Sequence, residues 1–366
     1  MRAMKRQFQA RASGFSLVEI MIGLVLGLLL IVVVLSVFMA NHRSFSFGDG
    51  VSRVQENSRF LQESIAKDIR ISGYRGCMSK TVVPMTSTLN NATTAGFDYG
   101  RGLEGFDNIT TLPTRLAGFF GSTDPTPVAS TDMLILHMPA GNMIPIAALN
   151  TSADIQGQLG AVEQRVCADG TTTNIGFCVG DIVMAADCKK SRVFQATALA
   201  LDDEDNPTLI TLSHTQGGTL YPANSVGNWS PSANKQERFT VDAELFPYQS
   251  LSLYIANNPE SGLRALYQKV NGGPAQLMQD GVFNMQVSYG MDNNSDREVD
   301  NYATAGTITN WSRVMSVRIE LLLYSTENNL VSSPQQLFYN GSTISAPDNH
   351  WYMVSIINVV LRNRIS

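Results

Sequence analysis

From Ile20 to Ala40 the chain carries no charged side chain. A helix of that length spans roughly 30 Å, the thickness of a bilayer hydrocarbon core. A cleaved secretory signal is shorter and ends in a small-x-small site, whereas Asn41-His42-Arg43 follows here. The run therefore reads as a retained span over 15–40. Gly48-Asp49-Gly50 comes next and is expected to weaken or bend a helix. Beyond it, Val51, Val54, Ser58, Leu61, Ile65 and Ile69 recur in steps of three or four, with Arg53, Glu56, Arg59, Glu63 and Lys67 mostly off that stripe. This predicts an amphipathic helix over 41–76 whose stripe packs on the protein's own sheet. Gly73 is its stop, and Tyr74-Arg75-Gly76-Cys77 turns the chain away.

Residues 77–131 are rich in Thr, Asn, Gly and Pro without a clear period, and read as a long surface connection. Strand-like runs then fill 132–366. The clearest is 314–323, where Val317, Ile319, Leu321 and Leu323 alternate with Arg318, Glu320 and Leu322. No helix-sized periodic segment separates these runs, which argues against a doubly wound parallel sheet. The expected architecture is α+β, with one long N-terminal helix, membrane-spanning in its first half, packed on a large antiparallel β-rich head.

Charged residues are sparse at 16% and glycine is frequent at 29 copies, which suits an exported strand-and-loop protein. The net charge is -5. Arg2, Lys5, Arg6 and Arg11 all precede Gly14 with no acid among them, so removing those four positive charges takes the chain to -9. An acidic body lacks the cationic footprint of sequence-independent nucleic-acid binding, and no nucleic-acid partner is expected. The basic leader orients the N-terminus towards the cytoplasm, which places the remainder, and all four cysteines, on the far side where disulfides persist. Four cysteines allow three pairings. We favour Cys167 with Cys178 and Cys77 with Cys188. Zinc is the alternative, weakened because no pair has Cys-x-x-Cys spacing and no histidine lies nearby.

Little in the chain points to catalysis. His42, His137, His214 and His350 are scattered, and no Gly-x-Ser-x-Gly elbow occurs, so the protein is not expected to be an enzyme. Gly100 to Gly105 spells Gly-x-Gly-x-x-Gly but follows a polar stretch instead of an apolar strand, and reads as a loop. Asp292, Asn294, Asp296, Glu298 and Asp300 alternate as calcium ligands do. However, Arg297 stands where the turn glycine belongs and Ala303 where the bidentate acid belongs. A solvated acidic loop is the preferred reading, with calcium as the alternative; no other cofactor or metal is expected.

Gly14-Phe15-Ser16-Leu17-Val18-Glu19, set before the apolar run, resembles the prepilin signal of type IV pilins. More distal segments are similar to large minor pilins of the PilW type: Gly73-Tyr74-Arg75-Gly76-Cys77, Gly180-Asp181-Ile182-Val183, Phe194-Gln195-Ala196-Thr197, Tyr289-Gly290-Met291-Asp292 and Leu361-Arg362-Asn363-Arg364. The resemblance implies that a prepilin peptidase cuts after Gly14 and methylates the new amine of Phe15. It implies an inner-membrane protein, anchored through Ile20–Ala40 with its head in the periplasm, that later moves to the pilus tip. Before that move it would prime assembly in a complex with other minor pilins, its further partners being the major pilin, a tip adhesin and the inner-membrane assembly platform, and it would support twitching motility, adhesion and DNA uptake. Glu19 would pair with the Phe15 amine of a neighbouring subunit. An acid in hydrocarbon costs roughly 2.5–3.5 kcal/mol on insertion scales, and a partner offsets part of that. Major pilins often carry a kinking proline where this chain has Ser36. A type II secretion pseudopilin and a tip-exposed adhesive module are the competing readings.

Overall fold

The computed structural model describes residues 16–76, 85–161, 163–167, 169–361 and 363. Gly14, Phe15 and Cys77 lie outside the described residues. The chain divides into two compact units, one up to Ser52 and one from Arg53 onward.

The first unit is helical from Leu17, within a helix assigned as Leu17–Ile71. Helical structure continues through Gly48-Asp49-Gly50, where the sequence suggested a weak point. A glycine costs only about 1 kcal/mol against alanine inside a helix, and propagation past it needs no new nucleus. The Ser52 hydroxyl donates to the Gly48 carbonyl at 2.8 Å.

In the second unit the helix ends as its sequence suggests. Gly73 takes φ +75°, a left-handed conformation that costs glycine little. Its amide donates to the His137 carbonyl at 2.7 Å. Most of this unit is β-sheet, nearly all of it antiparallel. The long strand Glu244–Asn257 organises a nine-stranded sheet. Along one stretch it pairs with Ile182–Ala186, along another with Met133–Pro139, and at its far end with Arg264–Val270. A four-stranded antiparallel sheet runs Asn301–Ala303, Val282–Met291, Val314–Tyr324, Tyr352–Val360. The α+β expectation holds: one long apolar helix and a large antiparallel β-rich body.

The stretch read as a surface connector is different. From residue 85 onward it contributes two strands, Met85–Ser87 and Leu103–Phe106, the second hydrogen-bonded to Met133–Pro139. Leu89, Phe97, Tyr99, Leu103, Leu116 and Phe119 are buried, most of them in an aromatic core with Tyr248, Tyr254 and Tyr267. Single apolar residues carried on successive turns bury as well as a stripe does, yet they leave no period to read. The segment is also fastened by a buried ion pair. Lys269 Nζ donates to Asp124 Oδ2 at 2.6 Å, with both side chains under 5% exposed. The Asp124 carboxylate accepts in addition from the Gly121 and Ala275 amides.

Gly105, last of the three glycines in Gly-x-Gly-x-x-Gly, sits in strand Leu103–Phe106. The Tyr289 phenol occupies the place of any Cβ there. That glycine allows close packing between strands.

Candidate functional site

The candidate site comprises the helix start, the helix's docked second half and the strands that receive it.

At the helix start, Ser16 precedes the first helical residue and Glu19 stands in the first turn. The Ser16 amide donates to Glu19 Oε2 at 3.0 Å, and the Val18 amide donates to Ser16 Oγ at 3.3 Å. This reciprocal arrangement is a capping box, which satisfies backbone donors that the helix start leaves orphaned. The carboxylate also faces the positive end of the helix dipole. Ser16-x-x-Glu19 spells this device in the sequence, and the reading of Glu19 as an inter-subunit partner passed over it. Glu19 thus has a role within its own chain, and any pairing with a neighbour competes with that role.

Behind Glu19 the apolar side chains are largely uncovered. Leu24 is 69% exposed and Phe38 66% exposed. The helix is long and apolar enough to cross a membrane. Burying each such side chain is worth about 1.5–3 kcal/mol, so a surface of this length is stable only against lipid or other apolar helices. It is a candidate membrane anchor.

In the second unit the helix keeps its predicted stripe. Val54, Ser58, Leu61, Ile65 and Ile69 are all buried. The apolar members pack among Leu134, Leu136, Leu253, Val317, Ile319 and Ile357, in one core between the helix and the two large sheets. Ser58 Oγ donates to Ser355 Oγ at 2.9 Å, and Gln62 Nε2 to the same oxygen at 2.9 Å, so polar contacts fix the register that the apolar stripe alone would leave free to slide. The helix end is tied on both sides. The Ser72 hydroxyl donates to the Gly102 carbonyl, and Asn363 Nδ2 donates to the Ser72 carbonyl at 3.1 Å.

Cys167 and Cys178 are disulfide-bonded, with Cα atoms 5.6 Å apart. Their bridge sits on the small ribbon of Arg165–Val166 and Thr172–Thr173. Cys188 is disulfide-bonded as well; its expected partner, Cys77, lies outside the described residues.

The acidic loop turns its carboxylates on itself. Asp292 accepts from the Ser295 and Arg297 amides, Asp296 from the Glu298 amide, and Asp300 from the Asn293 amide. Among the described residues no group of three or more His, Cys, Asp or Glu is arranged to hold a metal. Three of the four histidines contact the backbone. Nδ1 of His137, His214 and His350 lies within hydrogen-bond reach of the carbonyls of Arg101, Gly227 and Ser325. Burial pulls His137 and His214 down to about 4, so both are neutral at ordinary pH.

Residues 253–363 match the family described as Type IV Pilus-assembly protein W. No curated protein and no solved structure matches the chain. The matched residues include strands Val282–Met291, Val314–Tyr324 and Tyr352–Val360, part of the wall against which the helix stripe is buried. Together with the apolar N-terminal helix, the match over residues 253–363 supports a PilW-type protein of type IV pilus assembly.

Proposed function

We propose that the protein is a minor pilin that primes type IV pilus assembly and belongs to the tip complex. The observation that carries this reading is the division of labour along one helix: exposed and apolar behind Glu19, buried on a family-matched sheet from Val54 onward. Such a subunit offers one greasy surface to lipid before assembly and to neighbouring pilin helices afterwards. In this scheme a prepilin peptidase cleaves after Gly14 and methylates Phe15, and the Phe15 amine of an adjacent subunit draws Glu19 out of its own capping box. Its partners are other minor pilins, the major pilin, a tip adhesin and the assembly platform. Its place is the inner membrane with a periplasmic head before assembly, and the pilus tip afterwards, where it supports twitching motility, adhesion and DNA uptake. The role is read as structural and non-enzymatic, and Nδ1 of His137, His214 and His350 each faces a backbone carbonyl.

The test is deletion of the coding sequence, with the mature mass of the native polypeptide measured in parallel. The proposal expects a mass beginning at methylated Phe15, few or no surface pili, and an intact inner-membrane pool of major pilin. Normal piliation with a loss of protein secretion would instead assign the chain to a type II secretion machine.

A further inference from the structure

A groove of about 460 Å³ opens beside the four-stranded sheet, between the end of strand Val282–Met291, strand Asn301–Ala303 and the turn at 307–313. That is within the size range of small-molecule sites, roughly 300–1,000 Å³. Its floor is apolar, with Met291 buried and Ile308 half-buried. Its walls carry Asn301, Thr309, Asn310 and Arg313. Arg313 is the one charged residue among the described lining residues, although the acidic loop of residues 292–300 begins next to it.

The guanidinium is held at one point. Arg313 Nη1 donates to the Asn293 carbonyl at 3.0 Å. Arg115, Arg165 and Arg318 each face a carboxylate, whereas among the described residues Arg313 faces none. Nor is a hydrogen-bond partner found there for Nδ2 of Asn301 or Asn310, or for the Thr309 hydroxyl; the Asn301 and Asn310 oxygens alone are engaged. The groove therefore offers an anchored planar cation and several free donors around an apolar base.

We propose that this groove binds a pyranose sugar bearing a carboxylate, of the uronic-acid type. The C–H face of a pyranose ring suits Met291 and Ile308, its hydroxyl rim suits the two amides and the threonine, and its carboxylate suits the free part of a guanidinium fork. This goes beyond pilus assembly and does not depend on it, because the groove is formed within one chain.

The test is calorimetric titration of the full chain in detergent micelles with glucuronate, glucose and acetate. The expected result is saturable binding of glucuronate, with glucose and acetate each at least about tenfold weaker, the size of one charge-assisted hydrogen bond. Arg313→Gln should bring glucuronate down to the level of glucose. Because Arg313 also holds the Asn293 carbonyl, Ile308→Asp provides a second variant that keeps that contact; it should abolish glucuronate binding with the circular-dichroism spectrum unchanged, although the melt falls because Ile308 packs against the helix–sheet core. The proposal is overturned if glucuronate gives no heat, if glucose binds as tightly, if acetate alone binds as tightly, or if Ile308→Asp still binds glucuronate.

Discussion

Glu19→Gln separates the capping role of Glu19 from the proposed inter-subunit pairing by size. Within its own chain the carboxylate accepts the Ser16 amide and faces the helix dipole. Glutamine keeps an acceptor oxygen, so the loss there is the charge term, about 0.3–1 kcal/mol at an exposed helix start. That term is present before and after assembly and largely cancels. If the carboxylate instead meets a neighbour's Phe15 amine in an apolar surrounding, the variant strands a buried positive charge. Breaking a buried pair in this way costs about 3–5 kcal/mol, and each 1.4 kcal/mol is about tenfold in a binding constant. The expected outcome is normal processing but a fall of at least about a hundredfold in the ratio of subunit in sheared pili to subunit in the inner membrane. Quantitative mass spectrometry of both fractions reads that ratio. A value within about fivefold of the wild type would refute inter-subunit pairing and leave Glu19 as a helix cap.

Three further outcomes concern the head. Ile65→Ala opens a cavity between the helix and the sheets, and should lower unfolding stability by about 2–5 kcal/mol in chemical denaturation; a loss below about 1 kcal/mol would mean that the helix is not held by this core. Asp124→Ala leaves the Lys269 ammonium buried without its carboxylate and should cost about 3–5 kcal/mol, with faster amide exchange in the 121–128 segment, whereas unchanged exchange would show that the pair does not fasten it. Asp132 is buried, and burial raises it to about 6 although it accepts the Asn108 and Val287 amides. A raised carboxylate favours the folded state when protonated, so its contribution is full below the unfolded value near 4 and fades as pH rises through 6. Thermal melts of the wild type should show a component, bounded at about 3 kcal/mol, that is larger at pH 5 than at pH 7.5. Asp132→Asn should remove that component, and an unchanged pH profile in the variant would rule Asp132 out as its source.

Local pattern determined a good deal of this protein. The uncharged run from Ile20 to Ala40 marked a candidate membrane anchor, because it is long and apolar enough to cross a bilayer and its side chains lie exposed. The stripe from Val54 to Ile69 named its own buried face, since helical spacing puts residues three and four apart on one side. Gly73 marked the stop, and the alternation over 314–323 gave a strand with one face in the core. The capping box was equally legible, because Ser16 and Glu19 stand at the required spacing. Other features arose only in three dimensions. The packing of Phe97, Tyr99 and Phe119 depends on aromatic partners more than a hundred positions away, and the ion pair of Asp124 with Lys269 joins residues that no local window contains. The central place of Glu244–Asn257, bridging strands from three parts of the chain, likewise leaves no trace in the period of that strand. Periodicity records which side of an element is apolar, while the choice of partner is made by complementary shape and hydrogen bonding across the whole chain.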